Sequence, residues 1–368
     1  MRVAYCIRKD YKSRGGGDVI QMLMTKEHIE SNFPFIEIEI VTDAEFLNES
    51  FDICHIFNYS TAIETLSFFK KAKKLKLKIA SSTIYWDYSA TAYQYFCKLG
   101  LFNLNRISLN TEIFLLRLLQ LFYPIFFLTS KKFKNYCALF LKSSDIILPN
   151  SIEEYKLLLS FTGFSMNDFL SKVVHNSTLL RSTDSNSGKI MEKYNIPSNY
   201  VLQVGRIEPI KNQLNLLKAL SSDNHIPIVF VGKIFDDKYF KELKRYGDKR
   251  GNVYFIEEVS HEEVFEIYRG AHTHVLPSLR ESPGLVSLEA YSQGCNIVCS
   301  QFPYSPFDTY FSDIAYSIDP LSLSSIRDAV IQSYKDGKQE TNFKLLKNFS
   351  WDYTAKQTME AYESILNS

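Results

Sequence analysis

The sequence predicts an α/β protein built on two parallel sheets in series, each covered by helices on both faces. Three observations predict it. Short apolar runs alternate with amphipathic helical text along most of the chain. The alternation breaks at one polar stretch, Arg181-Ser182-Thr183-Asp184-Ser185-Asn186-Ser187-Gly188, and then restarts. The length of 368 residues, with 45% apolar and 23% charged side chains, suits two domains with sizeable cores.

In the first half, strands are expected at 3–7, 36–41, 53–57, 77–81, 146–148 and 172–175. Helices are expected at 19–30, 62–74 and 151–160. An insert rich in Phe and Leu, about 88–142, reads as helical. In the second half, strands are expected at 200–204, 228–231, 253–256, 273–276, 296–299 and 314–317. Helices are expected at 212–221, 237–246, 261–269 and 285–293. The chain closes in helical text over 326–366, broken at Phe349-Ser350-Trp351. No fixed short period recurs, so two similar domains fit better than a solenoid.

Composition narrows the function classes. The 42 basic and 41 acidic side chains leave a formal charge of +1, without the positive excess of a general nucleic-acid binder. Six cysteines, with no CxxC pair, read as free and mostly buried thiols in a reducing compartment. The opening run at 1–7 reads as a strand rather than a leader, because Arg8-Lys9-Asp10 follows at once. No apolar stretch reaches the length of a spanning helix; the nearest, 118–129, contains Pro124.

Three segments carry chemistry. The expected strand at 200–204 runs into Gly205-Arg206-Ile207-Glu208-Pro209-Ile210-Lys211-Asn212 before a helix. Ligands of open α/β sheets collect beyond the carboxyl ends of strands, where helix amides face anions. Arg206 suits two phosphate oxygens, Lys211 adds a point charge, and Gly205 permits close approach. The competing reading is a loop of solvated charges. Near the start, Ser13-Arg14-Gly15-Gly16-Gly17-Asp18 precedes a helix. It reads either as backbone that approaches a phosphate or sugar, or as a flexible hairpin-like loop; it is neither GxGxxG nor a P-loop.

The third segment is Pro277-Ser278-Leu279-Arg280-Glu281-Ser282-Pro283-Gly284-Leu285-Val286-Ser287-Leu288-Glu289-Ala290. Glu281 sits in a loop at a strand's carboxyl end, and Glu289 lies eight positions on, inside a helix that a cap near Ser282 would open. Each carboxylate can accept hydrogen bonds from sugar hydroxyls. A solvated loop charge and a helix carboxylate facing Arg280 or solvent are the alternatives. A hydrolase's acid–base pair is also formally open, but Arg206 and Lys211 favour a diphosphate leaving group.

At these residues the chain resembles the retaining enzymes of glycosyltransferase family 4. The resemblance rests on Val204-Gly205-Arg206 with Lys211, Pro277-Ser278 with Glu281, Gly284-Leu285 with Glu289-Ala290, and Gly294-Cys295-Asn296-Ile297-Val298. It implies the GT-B architecture: two Rossmann-like αβα domains facing each other across a cleft, with the C-terminal helix crossing back. Residues 1–180 would form an acceptor-side domain, 181–348 a nucleotide-sugar-binding domain, and 349–368 the returning helix. Arg206 and Lys211 would contact the donor diphosphate, Glu281 the transferred sugar and Glu289 the ribose. Gly284 and Leu285 would present amides near the phosphates, beside Gly205. Gly16 and Gly17 match the loop of the first domain that faces donor and acceptor. Asn150-Ser151, Val174-His175-Asn176 and Phe349-Ser350-Trp351 resemble further landmarks.

The chain departs from the family in two places. Ser282-Pro283-Gly284 stands where the family carries Gly-Phe-Gly. Thr83-Ile84-Tyr85-Trp86-Asp87 stands where many members carry a histidine near the reacting sugar. His55 resembles a common strand-end histidine, either a packing residue or a site residue.

The resemblance implies transfer, with retention, from a UDP- or GDP-sugar to a hydroxyl of a saccharide or lipid-linked saccharide, in surface polysaccharide, lipopolysaccharide or capsule assembly. It implies a cytoplasmic protein, peripheral on the inner face of the membrane if it binds there. No tightly bound cofactor is expected. No Asp-x-Asp triplet occurs, so no metal is expected either; His272 and His274, which share a strand face, read as packing before they read as ligands. The basic runs at 70–78 and at Lys131, Lys132 and Lys134 read either as contacts to anionic lipid or as solvated helix ends. Rival functions are a nucleotide-sugar epimerising or phosphorylase-like enzyme of the same architecture, and a silent nucleotide-sugar-binding module.

Overall fold

A computed structural model of the protein describes residues 1–13, 16–88, 92–93, 111, 127–178 and 188–367. Most of the expected insert, the apolar stretch at 118–126, the polar break at 181–187, Arg14 and Gly15 lie outside the described residues. The chain divides into two units. One comprises Met1–Asp87, Pro124–Thr178 and Lys347–Ser368; the other comprises Tyr88–Tyr123 and Leu179–Leu346.

The first unit is ordered β1 (Arg2–Cys6), α1 (Gly17–Asn32), β2 (Glu37–Val41), β3 (Ile53–Phe57), α2 (Ala62–Lys74), β4 (Lys78–Ser82), α3 (Lys131–Ser143), β5 (Ile146–Leu148) and α4 (Ile152–Thr162). Its strands form one sheet in the order β2-β1-β3-β4-β5. Every pairing is parallel. The central strand β3 and the edge strand β5 are buried throughout, so their text is continuous and largely apolar. The edge strand β2 differs. Glu37 is exposed and Ile38 and Val41 are buried, and Arg2 pairs with Glu37 and Glu39 at 3.2 and 3.3 Å.

The strand expected at 172–175 is not one. Ser171 forms a single bridge to Ile147. Beyond it, Lys172 N donates to Ile147 O at 2.9 Å and Val174 N to Pro149 O at 2.9 Å. Proline has no N–H to return, so the ladder stops.

The second unit runs α5 (Gly188–Tyr194), β6 (Tyr200–Val204), α6 (Gln213–Ala219), β7 (Ile228–Val231), α7 (Asp237–Arg250), β8 (Val253–Ile256), α8 (His261–Gly270), β9 (Ala271–Leu276), α9 (Leu285–Ser292), β10 (Asn296–Ser300), α10 (Phe307–Tyr310), β11 (Ala315–Ile318), α11 (Leu323–Lys335) and α12 (Phe343–Leu346). The sheet order is β11-β10-β9-β6-β7-β8, again parallel. Local text starts its helices. Asp236, Ser260 and Ser322 cap α7, α8 and α11 through side-chain oxygens that accept backbone N–H groups. The chain adds β7 and β8 on one side of β6, then returns to lay β9 on the other side. The order therefore reverses between β6 and β9, where α/β sheets open a crevice at their carboxyl ends.

The last helix, α13 (Trp351–Leu366), belongs to the first unit and crosses back onto α1, as the sequence predicts. Asp352 accepts from Asn32 Nδ2 at 2.8 Å and pairs with His28 Nδ1 at 2.7 Å. Ala355, Met359, Tyr362 and Ile365 join the core built by β1, β3 and α1. The five described cysteines are buried free thiols; Cys97 lies outside the described residues. Among the described residues, no helix is long and apolar enough to cross a membrane.

His55 is a core residue. It is 1% exposed. Its Nδ1 meets the Tyr362 hydroxyl at 2.6 Å and its Nε2 meets Ser82 Oγ at 2.9 Å. Burial pulls its pKa from 6.5 to about 3. The unfolded chain therefore binds this proton first, and native stability is lost as pH falls from 6.5 toward 3. His55→Gln lacks that titration. The stability advantage of wild type over His55→Gln is expected to narrow by about 1.4 kcal/mol per pH unit below the ordinary histidine pKa. Urea unfolding of both proteins at about pH 7.5 and about pH 5.5 checks this; a gap independent of pH contradicts it.

Candidate functional site

The loops after β6 and β9 meet because the two strands are hydrogen-bonded neighbours. Leu279 N donates to Ile210 O at 2.9 Å, joining the loops through backbone. Lys211 Nζ lies 2.5 Å from Glu281 Oε1. The two side chains are 17% and 9% exposed, so the pair is largely shielded from water. Glu281 N donates to Tyr304 O at 2.8 Å, which fixes its backbone.

The β6 loop is held from below. Gln203 Nε2 donates to Lys211 O at 2.7 Å, and Gln213 Nε2 donates to Arg206 O at 2.9 Å. Asn212 turns the chain at φ 58, a left-handed conformation that asparagine tolerates. Its amide donates to Pro277 O at 3.0 Å and to Pro320 O at 2.8 Å. Arg206 is half-exposed. Its Nη2 lies 2.8 Å from Glu208 Oε1, and its guanidinium stacks on Phe235 with Cζ 4.7 Å from the ring centre.

Three glycines shape these loops. Gly205 adopts φ 149 and Gly232, after β7, φ 145. A Cβ on Gly232 would stand 2.2 Å from the Gly205 carbonyl oxygen. Gly284 enters α9 at φ 89, and a Cβ there would stand 2.9 Å from Leu276 Cδ2. Gly284 itself is the N-cap and no side chain caps the helix, so the cap expected near Ser282 does not form. The reason is conformational: the chain enters α9 through the left-handed region, which suits glycine and not serine. Leu285 is the first residue of the helix, and the amides there carry the positive end of its dipole.

Glu289 does not face open solvent. The Tyr268 hydroxyl donates to its Oε2 at 3.1 Å, and His261 Nε2 lies 3.7 Å from Oε1. The side chain is 13% exposed. Neither Tyr268 nor His261 stands out in the sequence. Both lie on α8, and only the packing of α8 on α9 brings them to the carboxylate.

His274 lies beneath the Lys211–Glu281 pair and is fully buried. Burial, and then the charge of Lys211, pull its pKa to about 3, so the ring is neutral. Val204 N donates to its Nε2 at 3.3 Å. The ring hydrogen therefore sits on Nδ1, which is 3.3 Å from Ser287 Oγ. His274 thus ties the end of β6 to the start of α9. His272 stacks on Tyr334 with centroids 4.0 Å apart. Among the described residues, no group of three or more His, Cys, Asp or Glu is placed to hold a metal ion.

In the first unit, the loops after β1 and β3 form a second polar cluster. Arg8 Nη1 lies 2.5 Å from Asp18 Oδ2, and Asn58 Nδ2 donates to the same oxygen at 3.0 Å. Gly16 precedes α1, and a Cβ there would meet Asp18 Oδ1 at 2.7 Å; Gly17 has open space around its Cα. After β4, Tyr85 and Trp86 are buried and Asp87 is half-buried. After β5, Asn150 exchanges hydrogen bonds with Gln21 at 2.7 and 3.2 Å, and Ser151 caps α4.

Residues 186–345 match the family model described as "Glycosyl transferases group 1". Over its second unit, the chain is similar to that family. The chain is 26% identical over 240 residues to the O-antigen chain mannosyltransferase B of Escherichia coli. That alignment covers 59% of this chain and 62% of the relative, less than two thirds of its length. The fold is also that of a glycosyltransferase from Rickettsia africae ESF-5, with a TM-score of 0.72 at 14% identity over 99% of this chain and 98% of the other. It is similar, with a TM-score of 0.67 at 13% identity, to the Anabaena Alr3699/HepE structure in complex with UDP and glucose, over 99% of this chain and 100% of that one.

Gly232→Ala is expected to cost about 2 kcal/mol or more, because backbone stands where the methyl group would go. Denaturant melts measure it, and a stability within about 0.5 kcal/mol of wild type contradicts the close approach of the β6 and β7 ends.

Proposed function

We propose that this protein transfers a hexosyl group, with retention, from a nucleoside-diphosphate sugar to a hydroxyl of a saccharide or lipid-linked saccharide. The observation that carries the reading is the shielded Lys211–Glu281 pair at the reversal of the second sheet, with Arg206 beside it on the same loop. Without donor, the cation and the carboxylate neutralise each other. A diphosphate offers Lys211 a stronger anionic partner. Glu281 is then released to accept hydrogen bonds from the sugar's hydroxyls.

Arg206 and Lys211 stabilise charge as the bond between the anomeric carbon and the phosphate oxygen breaks. The electron pair goes to the β-phosphate. The acceptor oxygen bonds the anomeric carbon on the face the phosphate leaves, and its proton passes to a donor phosphate oxygen. No protein nucleophile is needed in this scheme. Gly205, Gly284 and Leu285 offer backbone close to the diphosphate, and Gly16 and Gly17 serve the acceptor side. Glu289, oriented by the Tyr268 hydroxyl, accepts from the ribose diol. Cationic side chains and helix amides take the place of a metal clamp. The relatives' printed activities, mannosyl transfer in O-antigen assembly among them, support a role in surface polysaccharide assembly.

Arg206 is half-exposed, but its partner Glu208 is a buried carboxylate at 1% exposure, so the variant is read for fold as well as for kinetics. Arg206→Ala is expected to raise the donor KM by about tenfold or more in protein that stays folded at the assay temperature. Glu281→Gln, which keeps a polar partner for Lys211, is expected to lower kcat about 100-fold. Both are assayed as nucleoside diphosphate released on formation of a new glycoside, in excess chelator. Wild-type donor kinetics in both variants, or turnover restored only by a divalent cation, would overturn the reading.

A further inference from the structure

The carboxyl end of β4 carries a feature that the donor pocket does not use. Ile84 adopts φ 43. A β-branched residue rarely enters the left-handed region, because its Cβ crowds the neighbouring carbonyl. Such a conformation persists only where surrounding contacts over-determine it. Here one carboxylate supplies them. Glu154 Oε1 accepts the Thr83 hydroxyl and, at 3.0 Å, the Tyr85 amide, from the two residues that flank Ile84. Its Oε2 accepts the Asn150 amide at 3.1 Å, so the loops after β4 and β5 share one anchor.

Glu154 is fully buried. Its own amide donates to Ser151 Oγ at 2.9 Å, which fixes it in the first turn of α4. Burial pushes its pKa up to about 7, against the pull of the Thr83 hydroxyl and the backbone amides. Even hydrogen-bonded, a buried carboxylate is expensive for a fold that needs only to fill space. Asparagine or glycine at 84 would make the same turn without crowding. Two costly choices meet in one turn, which points to a geometry required by something other than folding.

We propose that Glu154 is a positioning residue: it locks the kink at Ile84, sets the direction in which the chain leaves β4, and so places Asp87 to accept a hydrogen bond from the acceptor's hydroxyl groups. This rests on the glycosyl-transfer reading above. Tyr85 and Trp86 are buried, and the half-buried Asp87 is the first carboxylate past the kink. It stands beyond the carboxyl end of a parallel strand, where ligands of such sheets gather. A carboxylate there accepts sugar hydroxyls, as Glu281 does for the donor.

The test uses the full chain with Glu154→Gln, Thr83→Val and Asp87→Asn, and reads three quantities. Amide hydrogen exchange across 84–87 is expected to speed by about tenfold or more in Glu154→Gln and to stay at the wild-type rate in Asp87→Asn. Acceptor kcat/KM is expected to fall by about tenfold or more in both. Affinity for UDP and for GDP, titrated directly, is expected to stay within about twofold of wild type in both. Unchanged exchange in Glu154→Gln, or wild-type acceptor kinetics in Asp87→Asn, overturns the proposal. If Glu154→Gln does not fold, Thr83→Val decides: it removes one donor and keeps the carboxylate, so a smaller rise in exchange is expected and no rise overturns the clamp. A wild-type protein that transfers sugar to no acceptor counts against the glycosyl-transfer reading, while the exchange measurement still judges the clamp.

Discussion

The adjacency of β6 and β9 governs the second unit. Lys211 and Glu281 are 70 positions apart, yet their strands exchange backbone hydrogen bonds, so the loops that follow emerge side by side. Reversal of strand order at this pair leaves no helix crossing directly between them, and a ligand can enter there. The contacts around Lys211 and Glu281 depend on that junction. The Leu279–Ile210 backbone bond, the Asn212 side chain on Pro277, and the His274 ring between Val204 and Ser287 all span the same seam.

Charge at the seam is kept in balance by short-range partners. A lysine and a carboxylate shielded to this degree each pay a desolvation cost of several kcal/mol, which their mutual attraction offsets only while both are present. Arg8 and Asp18 repeat the arrangement at the reversal of the first sheet, with Asn58 as a third partner. A buried ion pair of this kind is poor as a stabiliser and well suited to a site, because an anionic ligand can replace one member without leaving the other unsatisfied. Neutral His274 fits the same logic. An imidazolium beneath Lys211 would repel it, and burial has already removed that proton.

Much of this was legible in the sequence, and the reasons are physical. Buried parallel strands must be apolar and short, so Ile53–Phe57, Tyr200–Val204 and Ile228–Val231 stand out from their amphipathic flanks. Strand-end loops must carry the chemistry, so Arg206, Lys211 and Glu281 could be picked out by position. What could not be read depends on contacts distant in sequence. The partners of Glu289 come from α8, the hydrogen on the His274 ring is set by Val204 and Ser287, and Glu154 serves a loop 69 positions earlier. Backbone conformation was equally hidden. Nothing in the letters around Ile84 announces a left-handed isoleucine, and Ser282 reads as a helix cap until Gly284 takes that place. The segment at 172–175 looked like a strand because its apolar residues line β5, but Pro149 has no N–H to complete the ladder.

The central claim is that the β6–β9 seam grips linked phosphates rather than nucleoside or sugar alone. Calorimetric titration of the unmodified protein with a nucleoside diphosphate and with its parent nucleoside tests it most directly. The account requires the diphosphate to bind at least about 100-fold more tightly, a difference of about 2.7 kcal/mol. Equal affinity for the two, with UDP and GDP both tried, would contradict it.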